Sequence, residues 1–407
     1  MNVLNINYAK ITLTRQINKV NMHIKRLSTG PKHHFFGYYG INPWDTTTTY
    51  HLALETDFHT HRPLPEDIAT VGLIHRETHE FIPHAKTAAF NLQQGSMLHW
   101  INGSENGEHD ATRAEFTFND WEDGDLVSRA LNPKTGTLRT IQGAIAAVSP
   151  TAPLAIGLNY GRMAHCRAVV GYATHTKSSE VIAQPKDDGL YQLNLQDGSS
   201  QLVLSIAEVV RASGDERMIG KRVWFNHVLF NTDGTRLLFF CRVRRETGHS
   251  TSLWTVNPDG SDLEMQIPFD YRVSHFDWRT PTRILVSSDI SGEMGFVEFT
   301  DGVRDFTPIG HHVLPSDGHA SFSPDREWLL CDTYPRGAER LAQLMIYNIA
   351  ENRKILLGEF HHEEQFVGDI RCDLHPRWAP DGKTITFDSV HEGSRQIYLV
   401  ETPHARL

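Results

Sequence analysis

Histidine is the most conspicuous chemistry in this chain, with 24 copies in 407 residues. Four of them recur at one place in a repeated phrase: "HVLFNTDGTRLLFF" from His227, "HFDWRTPTRILVSS" from His275, "HASFSPDREWLLCD" from His319 and "HPRWAPDGKTITFD" from His375. Side chains held in phase by a repeat can converge on one centre. Four converging imidazoles suit a divalent ion, zinc or manganese, in a structural or a catalytic role. The metal set expected from the spacing is therefore His227, His275, His319 and His375. The plainer alternative is that each histidine caps its own repeat through a nearby acid or amide, namely Asn226, Asp277, Asp317 or Asp373.

A second concentration lies in "LNYGRMAHCR" (158–167), which holds Tyr160, Arg162, His165 and Arg167. Two arginines flanking a tyrosine and a histidine can bind a carboxylate bidentately and move a proton beside it. The same stretch also reads as a solvated loop. In "QQGSMLHW", Gln94 and His99 are further candidates. Alternation puts His99 on the side of Met97, so it faces a cleft if Met97 does, and otherwise sits in the core beside Trp100. Tyr191 in "DDGLYQLNL" and Asn119 in "FTFNDW" are weaker additions, Tyr191 reading more readily as an ordinary strand aromatic. Arg242 and Arg244 in "CRVRRE" alternate onto one face and could take a second anionic group, or form a solvated edge.

The elements that must position these groups are legible as a repeat. Besides the four plain copies there are three weaker ones, from Tyr38, Met97 and Ile145. Each is followed by an alternating strand that ends in an Asp-Gly, Asn-Pro or Lys-Thr-Gly turn, the signal of antiparallel hairpins. A unit of roughly 45–60 residues carrying about four strands is a propeller blade. The expected fold is all-β: one seven-bladed β-propeller of four-stranded antiparallel blades spanning 1–407. The N-terminal segment 1–29 would supply the strand that closes the ring, with "YAKITLTR" (8–15) pairing with 396–402. The long gap between Ile145 and His227 leaves room for insertions, and its "LSIAEVVRASGDERMIGKR" (204–222) is the best helical candidate in the chain.

Composition narrows the partners. The formal net charge is −10 with no basic run, which disfavours nucleic acid, although a local basic cleft for a polyanion remains compatible. Four widely spaced cysteines without a CxxC pair read as buried reduced thiols. The N-terminus lacks an apolar run of the length a signal peptide or a membrane span needs. The expectation is therefore a cytoplasmic protein without membrane contact, periplasmic or secreted only if the true start differs.

The phrases "DGHASFSPD…DTYP" and "RCDLHPRWAPDG…FDSVHEGSRQIY", with "GPKHHFFGYYGINPWD", "NLQQGSMLHW", "VWFNHVLFN" and "SHFDWR", resemble the seven-bladed propeller polysaccharide lyases. These are the oligogalacturonate lyases and, especially, the propeller-type ulvan lyases. The resemblance implies β-elimination on an anionic uronate-containing glycan. An Arg or amide offsets the C5 carboxylate, a His or Tyr removes the C5 proton, and a Tyr or His protonates the leaving O4. On it, His99, Tyr160, Arg162, Arg167 and Tyr191 are the expected catalytic residues. Gln94, Asn119, His165, Arg242 and Arg244 are the expected substrate contacts. It also implies a manganese held by histidines at the propeller centre. An ulvan-like substrate is the first expectation, with pectic oligogalacturonate or a non-catalytic propeller scaffold as alternatives. A glycoside hydrolase would want a carboxylate pair, and none stands out.

Overall fold

The structure is a computed structural model that describes residues 18–19, 22–101, 114–175 and 181–402. Its strands form seven sheets in a ring, each built of antiparallel strands laid down in chain order from the inner strand outward, with N-terminal strands added at the outer edges of blades 6 and 7. The inner strands are His33–Phe35, His99–Ile101, Ile145–Val148, Val223–Phe230, Val273–Trp278, Ala320–Phe322 and Arg377–Trp378. This is the seven-bladed propeller expected from the repeat.

The repeated Asn/Ser-x-Asp phrase has a local cause. In blade 4, Asn231 and Asp233 both accept the Thr235 amide. In blade 7, Asp381 accepts the amides of Lys383 and Thr384. In blade 6, the Ser323 hydroxyl donates to Asp325 and accepts the Trp328 amide. These side chains close the hairpin between the first two strands of a blade, which is why the turn chemistry repeats.

The histidine anchors also have a backbone signature. The inner strands of blades 3, 4 and 5 slip register at Ile145/Ala147, Asn226/Leu229 and Val273/Phe276. Met97, His227 and His375 have φ of +49°, +49° and +41°, a region L-residues seldom occupy. A bulge re-aims one side chain out of the alternation, here towards the channel.

The ring closes through Ile24–Arg26, which pairs antiparallel with Gln396–Glu401, Ile24 opposite Val400. Ile24 packs on the core shared by blades 6 and 7. The following residues lock this register, Leu27 donating to the Ile397 carbonyl and the Ser28 hydroxyl to Gln396. The closing strand is thus N-terminal, as expected, but lies at 24–26; residues 8–15 fall outside the described residues. Asn18–Lys19 adds a parallel fifth strand to blade 6.

Among the described residues two α-helices interrupt the strands, both in or after blade 3. Residues 158–167 are neither a strand nor a loop: α1 (Tyr160–Cys166) starts where Asn159 Oδ1 accepts the Arg162 amide at 2.8 Å. The short turn Ala168–Val170 that follows it meets Gly368–Ile370, in the connection into blade 7, across the channel mouth. The helix expected in 204–222 is α2 (Ile206–Ser213), opened by a Ser205/Glu208 capping box and ended by Gly214 at φ +60°. All four cysteines are buried and free. Among the described residues no helix is long and apolar enough to cross a membrane.

Candidate active site

The channel is plugged by the two tyrosines of "FGYYG". After the inner strand of blade 1 the chain turns inward at Gly37, φ +92°, where a Cβ would lie 2.4 Å from the Gly95 nitrogen. Only glycine fits there. Asp388 accepts the Phe36 and Gly37 amides and pairs with Arg377 at 2.8 Å, both members being fully buried. The segment is thereby fixed, and it presents Tyr38 and Tyr39 to the axis.

The four in-phase histidines surround this plug. The Tyr39 ring lies 5.5, 5.2 and 6.3 Å from those of His275, His319 and His375. Successive imidazoles from His227 to His375 are 6.5, 4.2 and 4.2 Å apart. Convergence is therefore real, but the four are not equivalent. His227 stands apart, its Nδ1 2.5 Å from the Tyr38 hydroxyl. His275 bonds Asp317 at 3.0 Å through Nδ1, and its Nε2 lies 3.5 Å from the Tyr334 hydroxyl.

His319 and His375 combine instead with Asp373, with ligand atoms all within 4.8 Å of one another and all three residues buried. Their surroundings prepare them as ligands. His319 Nδ1 is held by both oxygens of Asp332, at 3.0 and 2.9 Å, which leaves Nε2 to face the other two. Burial lowers its pKa, but Asp332 and then Asp373 raise it on balance, so an ion there would displace a proton. Burial, then His319 and Arg377, keep His375 well below its ordinary pKa and so neutral. Burial opposes ionisation of Asp373, yet the two-pronged contact with Arg371 holds its carboxyl below the usual range. Two free imidazole nitrogens beside an ionised carboxylate fit a divalent ion such as manganese. The caps weighed for these histidines are not the ones formed: Asn226 accepts only the His227 backbone amide, His275 takes Asp317 and His319 takes Asp332, while Asp277 and Asp373 bond other groups.

Facing His227 is a cationic wall. Arg242, 5% exposed, lies over the Phe240 ring, and its Nε and Nη1 have no hydrogen-bond partner. Burial, then the charge of Arg167, work against its own charge, with Tyr38, Tyr334 and Tyr39 close by. Arg167, delivered by the end of α1, lies 3.2 Å from His249 Nε2. A buried guanidinium beside a half-buried one, with no carboxylate bonded to either among the described residues, is costly unless an anion joins them. Burial, then Arg242, hold His227 well below 6.5, so its imidazole is neutral and basic at pH 7.

The other expected residues are engaged within the fold, Tyr160 packing in the cluster that Tyr38 also touches. Arg162 donates to the Val223 carbonyl at 3.0 and 2.6 Å and to that of Ala183, with Asp188 3.8 Å away, so it braces α1. Tyr160 is buried and stacked on Tyr172. Tyr191 donates to the Asp187 carbonyl at 2.8 Å, away from the mouth. Asn119 is fully engaged, with Ile145, Ser128 and Tyr172. His165 is half-buried on α1. Arg244 donates to the Cys166 carbonyl and lies over Trp224, tying blade 4 to the helix. Gln94 is buried with Oε1 unpartnered.

His99 is also displaced, for a reason the repeat explains. Met97 occupies the left-handed anchor position of blade 2, so His99 corresponds to Leu229 of blade 4, one step further along the channel. It lines a cavity of about 940 Å³ beyond Tyr38 and Tyr39, to which none of the four in-phase histidines contributes. Its Nδ1 bonds the Met97 carbonyl, and burial lowers its pKa to about 4.

Sequence reasoning missed Tyr38, Tyr334, Arg371, Asp332 and the ligand role open to Asp373. The signal for Tyr38 was present, since it anchors the first copy of the repeat and so shares the phase of the histidines.

No protein-family model matches this sequence, and no curated protein matches it. Solved structures do share its fold. An oligogalacturonate lyase from Vibrio parahaemolyticus aligns over 96% of both chains, at 14% identity and a TM-score of 0.65. An oligogalacturonate lyase in complex with manganese also aligns over 96% of both chains, at 13% identity and a TM-score of 0.66. A puromycin-hydrolyzing peptidase from Mycobacterium tuberculosis is matched over 87% of this chain and 50% of its own, at 11% identity and a TM-score of 0.51. At these identities the likeness is one of fold.

Proposed function

We propose that this protein is a lyase that cleaves uronate-containing oligosaccharides by β-elimination, with pectic oligogalacturonate as the favoured substrate. The observation that carries the reading is the unpartnered Arg242 guanidinium, beside Arg167, next to the Tyr38–His227 pair. A C5 proton is too weakly acidic to remove until the adjacent carboxylate is offset. A preorganised cationic wall in a dry site does this as charge develops. The two oligogalacturonate lyases of the same fold favour the pectic substrate over an ulvan-like one.

In this reading Arg242 and Arg167 receive the uronate carboxylate. Neutral His227 takes the C5 proton, the C4=C5 bond forms and the C4–O4 bond breaks. Tyr38 passes its proton to the departing O4 and regains one from His227 Nδ1, so the net transfer is from C5 to O4. His319, Asp373 and His375 are the residues that would hold a divalent ion, manganese by preference. Such an ion supplies further positive charge against the carboxylate. Tyr334, between His275 and Arg371, borders the same space. This convergence of titratable groups speaks against a non-catalytic scaffold.

The test compares oligogalacturonate, its methyl ester and ulvan oligosaccharides, followed by the ultraviolet absorbance of the unsaturated product. Turnover of the free acid and not of the ester is expected. Equal turnover of acid and ester, or none on any uronate, would overturn the reading.

A further inference from the structure

The histidine content is not exhausted by the channel. His311 and His312 lie in the turn after the outer strand of blade 5, in the connection that ends at Asp317 and His319. Their rings are 3.7 Å apart between centroids. The ligand atoms of His311, His312 and Glu293 all lie within 4.8 Å of one another, and all three residues are exposed.

Adjacent residues do not normally present side chains to one side, and the turn explains why these do. The amides of Val313 and Leu314 both close back on the Gly310 carbonyl, at 2.9 and 2.8 Å. Val313 and Leu314 pack on the hydrophobic cluster of blades 5 and 6, so the two residues before them are turned outward together. His312 has φ +62°, a conformation with a steric cost for a histidine. Glu293 comes from the loop between the second and third strands of the same blade, and no ion pair or hydrogen bond engages its carboxylate among the described residues.

We propose that Glu293, His311 and His312 form a second metal site, on the protein surface, for a zinc-class ion. Two imidazoles and one carboxylate select zinc, nickel or copper over calcium or magnesium. Three protein ligands leave at least one position open to water or an external ligand. The ion pins the blade 5 loop to the connection that carries Asp317, and it is independent of the ion suited to the channel.

The test is calorimetric titration of zinc chloride into chelator-stripped full-length protein. The wild type should show a binding event that is lost in the His311→Ala/His312→Ala double variant and weakened in Glu293→Gln. The melting temperature without metal should be unchanged, because all three side chains are exposed. The same event should persist in Asp373→Ala, which disables the channel group. If the channel group binds no metal, the wild type shows the surface event alone and the double variant none. Identical zinc stoichiometry and affinity in the wild type and the double variant would refute the site, as would loss of every event in Asp373→Ala.

Discussion

Arg162, on the helix within blade 3, and Arg242, on blade 4, are both buried guanidiniums, yet they have opposite tasks. Arg162 has three bonds to backbone carbonyls, and Arg162→Ala should cost about 3 kcal/mol of stability by leaving those acceptors and Asp188 unpaired. Arg242 has nothing comparable to lose. Arg242→Ala should leave the melting temperature unchanged or raised while kcat falls about 10²–10³-fold, as for loss of one preorganised charge-stabilising donor. Thermal melts and steady-state kinetics on both variants check the split. A pH prediction belongs here too. The base form of His227 is needed, and its pKa lies well below 6.5 through burial and then Arg242. Activity should therefore fall with decreasing pH only below 6.5, and Arg242→Ala should move that acid limb upward. A residual kcat/KM profile of the variant with an unmoved or lower acid limb would contradict the pairing.

At the scale of elements, α1 converts an insertion in blade 3 into a bracket that delivers Arg167 to the mouth. Its start depends on Asn159, which caps the Arg162 amide and also donates to Asp188. Asn159→Ala should raise KM by displacing Arg167, whereas Ser205→Ala, at the start of α2, should cost about 1 kcal/mol of stability with kinetics unchanged. Melting curves and KM for the two cap variants separate the roles. The helix in 204–222 was legible because its apolar spacing lies in a stretch with capping residues. α1 was not, because "NYGRMAHCR" has no apolar periodicity and is helical by virtue of its cap and its packing on blade 4. The displacement of His99 has a similar origin: the left-handed backbone at Met97, which puts Met97 at the anchor level and His99 beyond it, is a backbone event that side-chain alternation does not reveal.

For the whole molecule, seven copies of a turn-closing phrase made the propeller readable from end to end, including which histidines converge. What the repeat could not give was the closing register, because a single short strand carries little pattern; Ile24–Arg26 is fixed by contacts around Leu27 and Ser28. Ile24→Asp places a charge in the core of blades 6 and 7 and should lower the melting temperature by several degrees, about 2 kcal/mol of stability. Nor could the repeat distinguish the channel's two sides, the cationic wall and the metal-ligating group, since these depend on Tyr38, Arg242 and Asp373 meeting from three different blades. The central claim is that this wall binds a uronate carboxylate while a proton moves beside it. Its most direct test is the rate at which the conjugated C4=C5 uronate absorbance appears when oligogalacturonate is added to wild-type and Arg242→Ala protein. The expected result is a steady rise with the wild type and a rate lower by about two to three orders of magnitude with the variant. Equal rates in both proteins, or no unsaturated product from either, would contradict it.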